Sequence, residues 1–301
     1  MLTLPLVVTN KAIAVGAQDW LASVPETFEV LCEQWGLALE VVYADATEAL
    51  VCAVRDTSGR PAVLKLPIPR GGDEFRYEVT VLEIANGQGC AKLLAHDVSL
   101  KAILLERLGP TLHSLGLSLR ERHEILCSTA ERLWRPVPER ALPSGAEKAR
   151  WLADFIVATW EQLDHPCSER AVEHALTSAR SRSDAHDDER AVLVHGDVHE
   201  WNTLVAPSGF KLIDPDGLRA EAEYDLGVMM REDPVELLEG DPLARARWLA
   251  RRCHLNPRAV WEWGVVERVS TGLLATQVEL QPLGHHMLEA ADAVALLEVA
   301  W

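Results

Sequence analysis

The segment that most constrains the fold of this chain is residues 192–217, VLVHGDVHEWNTLVAPSGFKLIDPDG. Its first residues, VLV, predict a short buried strand. The later part, TLVAPSGFKLID, has two apolar runs around a proline, serine and glycine turn, which predicts a β-hairpin. A polar loop separates the strand from the hairpin. This order of strand, loop and hairpin brings several titratable side chains close together.

The two histidines of this loop offer one explanation, a zinc site. His195 and His199 stand four residues apart, as zinc-binding histidines do on one face of a helix. However, Gly196 and the strand-like residues before it disfavour a helix here, and no glutamate directly follows His195. We therefore expect both rings to brace the loop through hydrogen bonds to the backbone rather than to bind a metal.

The carboxylates of the segment fit a different chemistry. His195, Asp197 and Asn202 have the spacing of a kinase catalytic loop, in which the aspartate accepts a hydroxyl proton and the asparagine holds Mg²⁺. The hairpin would return the chain so that Asp214 lies beside Asn202. Mg²⁺ prefers oxygen ligands, usually one or two from the protein together with substrate phosphates. The pattern predicts Asn202 and Asp214 as metal ligands and Asp197 as the catalytic base.

Two residues far upstream complete this set. Lys65 ends an apolar run, AVLK, and matches the strand lysine that contacts nucleotide phosphates in kinases. Glu78 lies in the next predicted helix, where it can hold that lysine by an ion pair. Each residue alone has an ordinary structural explanation, as a strand-end lysine or a solvated glutamate. Their order along the chain, together with the downstream loop, favours phosphoryl transfer.

The pattern along the chain predicts an α+β fold. A helix is predicted from Gln18 to Gly36, with Pro25 and Gly36 as the residues that bound it. The strands that follow form an antiparallel sheet, with one main helix over residues 73–87. After Gly109 the apolar spacing becomes helical. We predict helices over residues 119–134, 146–163, 168–182, 243–253, 258–280 and 288–299. The predicted domains are an N-terminal lobe, residues 1–107, and a helical C-terminal lobe, residues 108–301, with a hinge near 106–109.

The motifs resemble those of a known family. HGDVHEWNTL is similar to the H-G-D-x-H-x-x-N signature of the aminoglycoside phosphotransferases, which have a two-lobed protein-kinase-like fold. IDPDGL resembles the I-D-P-x-G-L variant of the streptomycin 6-kinase and hydroxyurea-resistance kinase group. Weaker similarity in ADATEALVCAVRDTSGRPAVLK, NGQGCAKLL and LLERLGPTL extends the resemblance over most of the chain from about Ala44 to Asp233.

The resemblance implies ATP and Mg²⁺ as cofactors and assigns further residues. The backbone from Glu106 to Leu108 would contact the adenine, and Asp225 in YDLG would brace the catalytic loop. The nucleotide-covering loop, ADATEALV, departs from the protein-kinase pattern because it has no glycine, so a contact from Thr47 is expected in its place.

Composition restricts the partners. The 301 residues carry a formal net charge of −17, which disfavours nucleic-acid binding and suits a cationic small molecule. The acidic residues expected to meet such an acceptor are Asp216, Glu262 and Glu267, with Glu221 and Glu223 as further candidates. Six scattered cysteines predict buried thiols in a reducing cytoplasm. No membrane segment is expected, and we expect a monomer or weak dimer.

These expectations combine into a function with two alternatives. The resemblance implies a kinase that transfers the γ-phosphate of ATP to a hydroxyl of an aminoglycoside, with a streptomycin-like acceptor. A kinase for another metabolite, such as a sugar, an amino alcohol or a hydroxyurea-like compound, stays open. A non-catalytic nucleotide-binding pseudokinase is the second alternative, and the joint presence of Lys65, Asp197, Asn202 and Asp214 argues against it.

Overall fold

The computed structural model describes residues 2–138 and 141–301. Within them the chain divides into two compact units, the first ending at Gly109 and the second beginning at Pro110. The first unit is a sheet with three helices and the second is mostly helical. No helix in the described ranges is both long and apolar enough to cross a membrane.

The first unit has an antiparallel five-stranded sheet. Its elements are α1 Leu6–Ala14, α2 Gln18–Trp35, β1 Leu37–Val42, β2 Ala49–Asp56, β3 Pro61–Pro67, α3 Glu74–Ala85, β4 Leu93–Asp97 and β5 Ala102–Glu106. The strand order is β1-β2-β3-β5-β4, and every neighbouring pair is antiparallel. The alternate residues of β3 that point inward, among them Leu64 and Leu66, pack with α2 in one apolar core.

The turn between β2 and β3 follows from its sequence, DTSGRP. Asp56 Oδ1 accepts hydrogen bonds from the backbone N–H groups of Ser58 and Arg60, both at 2.9 Å. Gly59 has φ +83°, a left-handed conformation that glycine adopts without steric cost. The turn thereby sets the register in which Val51 lies opposite Lys65, and it fixes where the lysine emerges from the sheet.

One of the two N-terminal helices was predicted. The apolar run at the N-terminus forms α1, which was not predicted. The helix predicted over residues 18–36 is confirmed as α2, which continues through Pro25 and ends at Trp35. Val24, Phe28 and Leu31 form one buried face of α2 against the sheet, and this burial outweighs the single backbone hydrogen bond that a proline cannot donate.

The second unit contains the remaining elements. They are a short 3₁₀ helix, His113–Leu115, and then α4 Leu119–Glu131, α5 Gly145–Gln162, α6 Glu169–Asp184, β6 Val192–Val194, β7 Thr203–Ala206, β8 Gly209–Leu212, β9 Leu218–Ala220, α7 Glu223–Arg231, α8 Pro234–Glu239, α9 Pro242–Cys253, α10 Pro257–Gln277 and α11 Leu283–Val294. Helix α10 is buried on most sides and contacts α5, α6, α7, α9 and α11.

The predicted strand and hairpin of residues 192–217 are confirmed. Strand β6 pairs with β9, and β7 pairs with β8 across a turn at residues 207–208. Helices α7 and α8 were not predicted. Every residue of α7 is buried, so its sequence, EYDLGVMMR, lacks the polar face by which a surface helix is recognised. Five of the six cysteines are buried and Cys32 is half-buried, all as free thiols.

Candidate active site

The loop after β6 is anchored by a buried carboxylate. Asp225, in the first turn of α7, accepts hydrogen bonds from the backbone N–H groups of His195 at 3.1 Å and Gly196 at 2.9 Å. The indole N–H of Trp134 donates to the same carboxylate at 2.8 Å. Burial raises the pKa of Asp225, against the lowering effect of these donors. The structure therefore places Asp225 where a loop-bracing residue was predicted.

The His195 ring connects this loop to the hairpin. Its Nδ1 accepts from the backbone N–H of Asp197 at 3.2 Å, so Nε2 carries the proton and donates to the carbonyl of Ile213 at 3.0 Å. Burial lowers the pKa of His195, which keeps the ring neutral. Both ring nitrogens are used within the protein, which leaves no lone pair for zinc.

His199 lies on the other side of the loop. Its Nε2 is 3.1 Å from Asp197 Oδ2, and its Nδ1 accepts from the backbone N–H of Trp201 at 3.2 Å. Burial alone would lower the pKa of His199, but the Asp197 carboxylate outweighs this effect and the net pKa is raised. The ring thus contacts the aspartate on one side and the loop backbone on the other.

The Asp197 carboxylate receives three donors. Oδ1 accepts from Arg231 Nη2 at 2.7 Å, while Oδ2 faces His199 and accepts from the Asn202 amide at 3.0 Å. Burial by itself would raise the pKa of Asp197, yet the charges of His199 and Arg231 hold it well below the usual range. The side chain is 30% exposed. Asp197 is therefore an ionised, fixed and accessible carboxylate.

Arg231, the last residue of α7, was missed in the sequence. Besides Asp197 it contacts Glu232 Oε1 at 2.8 Å and Glu267 Oε2 at 3.4 Å. Glu267 also accepts a hydrogen bond from the Tyr224 hydroxyl. The available signal was a single basic residue ending an apolar run, LGVMMR, and that signal does not identify its partner.

The two predicted metal ligands are brought together by the hairpin. The backbone N–H of Ile213 donates to the carbonyl of Asn202 at 2.9 Å, so Asp214 directly follows the residue paired with Asn202. The Asn202 amide nitrogen faces Asp197, which leaves its oxygen for another partner. Asp214 is exposed and has φ +57°. An amide oxygen and a carboxylate are the kinds of ligand that suit a hard cation such as Mg²⁺.

The remaining nucleotide-binding candidates belong to the first unit. Lys65 Nζ on β3 lies 2.7 Å from Glu78 Oε1 on α3, and both side chains are about nine-tenths buried, 11% and 9% exposed. Thr47 is exposed in the segment between β1 and β2. Glu106 ends β5, and its backbone N–H donates to the carbonyl of Lys92 at 2.9 Å. Leu108 follows in the half-buried segment after β5.

The acceptor candidates separate into two kinds. Glu262 is 7% exposed and pairs with Arg182 Nε at 2.6 Å and Arg258 Nε at 2.8 Å, while Glu267 is 4% exposed and holds Arg231. Both carboxylates are occupied inside the helical unit, which corrects the expectation that they face an acceptor. The physical reason is that buried carboxylates require partners, and α6, α7 and α10 place Arg182, Arg231 and Arg258 beside them.

Among the other candidates, Asp216 has the most exposed side chain. Its side chain is 56% exposed, and its backbone lies against Gly196. Glu221 accepts from the Trp263 indole at 2.7 Å, and burial raises its pKa. Glu223 accepts from the backbone N–H of Asn256 at 3.0 Å. These two glutamates fix α7 and α10 to their neighbours.

With this geometry in place, the chain can be compared with known proteins. The profile of the aminoglycoside/hydroxyurea antibiotic resistance kinase family matches residues 34–275. The chain belongs to this family. The match spans both units and includes all of the candidate catalytic and nucleotide-binding residues. Family membership confirms the predicted class, a phosphotransferase.

Two relatives of this family member have assigned activities. Streptomycin 6-kinase from Streptomyces glaucescens is 30% identical over 227 residues, covering 72% of this chain and 69% of the relative. Hydroxyurea phosphotransferase from Kitasatospora aureofaciens is 28% identical over 214 residues, covering 69% of this chain and 61% of the relative. The chain thus spans about two thirds of the length of these relatives.

Solved structures of more distant proteins share the fold of this kinase-family chain. An aminoglycoside phosphotransferase in a ternary complex with ADP and hygromycin B has a TM-score of 0.64 at 15% identity, covering 89% of this chain and 97% of that one. A choline kinase from Streptococcus pneumoniae has a TM-score of 0.60 at 11% identity, covering 92% and 98%. At these identities the likeness shows the fold alone, and it confirms the predicted α+β kinase-like class.

Proposed function

We propose that the chain is an ATP- and Mg²⁺-dependent kinase that phosphorylates a hydroxyl of an aminoglycoside, with streptomycin as the acceptor. The observation that carries the proposal is the Asp197 carboxylate, fixed by Arg231 and His199 and hydrogen-bonded to Asn202, whose backbone pairs with Ile213 beside Asp214. The streptomycin 6-kinase relative supports the choice of acceptor.

The roles follow from the chemistry of each group. Asp197 accepts the hydrogen bond of the acceptor hydroxyl and orients its oxygen. Because the pKa of Asp197 is held low, it takes the proton only late, when the new bond from the hydroxyl oxygen to phosphorus has made the hydroxyl acidic, which suits the loose transition state of phosphoryl transfer. Asn202 and Asp214 are the proposed metal ligands. The metal, when bound, would neutralise phosphate charge.

The first unit supplies the proposed nucleotide contacts. Lys65, held by Glu78 at 2.7 Å, is the group proposed to bind the phosphates. The ion pair already restricts the flexible lysine side chain in the folded protein. Less side-chain conformational entropy is therefore lost when the phosphate binds. The backbone of Glu106 to Leu108 and the side chain of Thr47 are the proposed adenine and phosphate contacts.

The test is ATP consumption across a panel of streptomycin, other aminoglycosides, sugars, amino alcohols and hydroxyurea. We expect phosphorylation of streptomycin, with kcat lowered by about 10² to 10⁴ in Asp197→Asn because the hydroxyl loses its proton acceptor. Nucleotide binding should persist in that variant. Asp164→Asn, a fully exposed aspartate with φ +57°, is the matched control and should keep wild-type turnover.

Two results would count against the proposal in different ways. Wild-type turnover by Asp197→Asn would remove Asp197 from the reaction. Phosphorylation of a sugar or of hydroxyurea with none of any aminoglycoside would replace the acceptor and leave the catalytic assignment standing.

A further inference from the structure

The ammonium group of Lys148, in the second unit, contacts a carboxylate and an indole ring. Lys148 Nζ lies 3.5 Å from Asp216 Oδ2 and 5.0 Å from the centroid of the Trp151 ring. Lys148 and Trp151 belong to α5, whereas Asp216 lies in the loop between β8 and β9. We name the two receiving side chains, Asp216 and Trp151, the Asp216–Trp151 site.

This site adjoins the catalytic loop. Gly196, the residue before Asp197, has φ +90°, and a Cβ placed on it would lie 2.9 Å from the Cβ of Asp216. The backbone N–H of Gly217 also donates to the carbonyl of His195 at 3.0 Å. The backbone at Asp216 is therefore held against the loop that carries Asp197, and its position is fixed relative to that carboxylate.

The Asp216 and Trp151 side chains are exposed to solvent, whereas the Lys148 side chain that contacts them is mostly buried. Asp216 and Trp151 are each 56% exposed, and the Lys148 side chain is 18% exposed. The Trp151 ring stacks on Phe155 one turn along α5, with centroids 5.5 Å apart and 14° between the planes. The carboxylate and the indole thus have fixed positions and remain accessible to a ligand from solution.

The lysine is a weak occupant of this site. An ion pair with an exposed carboxylate contributes little, and the flexible lysine stem loses rotamer freedom when it is held in one geometry. A guanidinium group suits the same two partners better, because it is planar, donates two parallel hydrogen bonds to a carboxylate and stacks on an indole face. A guanidinium from solution would therefore displace the ammonium of Lys148.

We propose that the Asp216–Trp151 site binds a guanidinium group of the acceptor, and that Lys148 is an internal competitor that leaves the site when the acceptor arrives. The inference rests on the proposed function, since it names a contact of that acceptor. On this inference Asp216 and Trp151 increase the affinity for an acceptor that carries a guanidinium, and Lys148 decreases that affinity.

The test compares variants with opposite expected effects, using streptomycin, which carries guanidinium groups, as the probe. Asp216→Asn should raise the acceptor KM by about tenfold, because a charge-assisted bidentate contact is lost. Trp151→Leu should raise it by roughly fivefold through the lost stacking. Lys148→Met should lower it by about threefold to tenfold, because the competitor is gone. The KM for ATP should stay within about twofold of wild type in each variant.

Arg120→Met is the matched control. Arg120 also lies over a tryptophan, 3.9 Å from the Trp248 ring, and pairs with a carboxylate, Glu124, at 3.6 Å, but on α4. Its replacement should leave the acceptor KM unchanged. Calorimetric binding of streptomycin to each variant, together with the melting temperature, separates affinity from turnover and from loss of folding.

The outcomes separate this inference from the proposed function. Opposite shifts in binding without phosphorylation would support the site and refute the reaction. Normal phosphorylation of streptomycin with an unchanged or raised acceptor KM in Lys148→Met would refute the site and leave the reaction standing. Absence of streptomycin binding, with phosphorylation of an acceptor that lacks a guanidinium, would also overturn the inference.

Discussion

At the scale of single residues, Asp197 shows how one carboxylate can be largely buried and still ionised. Arg231 and His199 contact its two oxygens, and their positive charge outweighs the cost of burial. Arg231 is itself fixed by Glu232 and Glu267. His199, two residues away, and Arg231, distant in sequence, thus together keep the proposed catalytic group ionised.

Removal of this arginine should cost stability in a pH-dependent manner. The folded-state pKa of Asp197 is depressed, so the pair stabilises the fold above the unfolded pKa of an aspartate, about 3.9, and this contribution is lost as pH falls through the folded value. We expect Arg231→Met to lower the free energy of unfolding by about 3 kcal/mol at neutral pH, because partners are left buried and unpaired. The deficit should stay constant above about pH 5 and shrink as pH falls below about 4.

Urea unfolding of wild type and variant between about pH 2 and about pH 7 measures this difference. Arg231→Lys, which keeps the charge but not the fork of donors, should lie between the two proteins. A deficit that grows as pH falls would contradict the assigned sign.

Sequence alone was sufficient to propose the candidate residues that belong to one local motif. His195, Asp197, Asn202 and Asp214 lie within 20 positions, and the hairpin between them is predictable from its turn. Arg231 could not be found this way, because its partner Asp197 is 34 positions away and is reached only through the packing of α7. The same limit explains why Glu262 and Glu267 were wrongly expected at an acceptor site. Both are buried in α10, and no local sequence pattern distinguishes a buried glutamate from an exposed one.

At the scale of elements, α2 shows where local rules give way to packing. Proline inside a helix removes one backbone donor and crowds the preceding turn, so Pro25 alone would favour a helix end at that position. The structure keeps 18 residues helical because Val24, Phe28 and Leu31 form a single buried face. Helix α7 was missed for a different reason, since complete burial removes the amphipathic pattern from which a helix is predicted.

Replacing this proline should stabilise the first unit. Pro25 is exposed, so Pro25→Ala removes no packing, restores an N–H donor to the helix and should raise the free energy of unfolding by about 2 kcal/mol, after allowing for the more flexible unfolded chain. Chemical unfolding of the whole chain, followed by circular dichroism, measures the change. Glu26→Ala, at the next exposed position, is the control and should be nearly neutral. An unchanged or lower stability in Pro25→Ala would mean that the helix is adapted to the proline.

At the scale of the whole molecule, the net charge of −17 creates a field that attracts cations from a distance. Such a field acts on association more than on the strength of the final contacts, and it is screened by salt. The Debye length falls from about 30 Å at 0.01 M to about 3 Å at 1 M ionic strength. Charges scattered over the surface therefore act together on an approaching ligand only at low salt.

This field predicts a salt dependence that separates long-range attraction from the contacts at Asp216. For streptomycin, kcat/KM should fall by roughly tenfold between about 0.02 M and 0.5 M sodium chloride, because screening removes the attraction of a cationic acceptor. For ATP, an anion, kcat/KM should not fall by this route. Asp216→Asn changes the net charge by only one, so its slope should match that of wild type although its KM is higher. A flat dependence for streptomycin, at constant melting temperature, would show that the acidic surface serves solubility and leaves acceptor recognition to the local contacts.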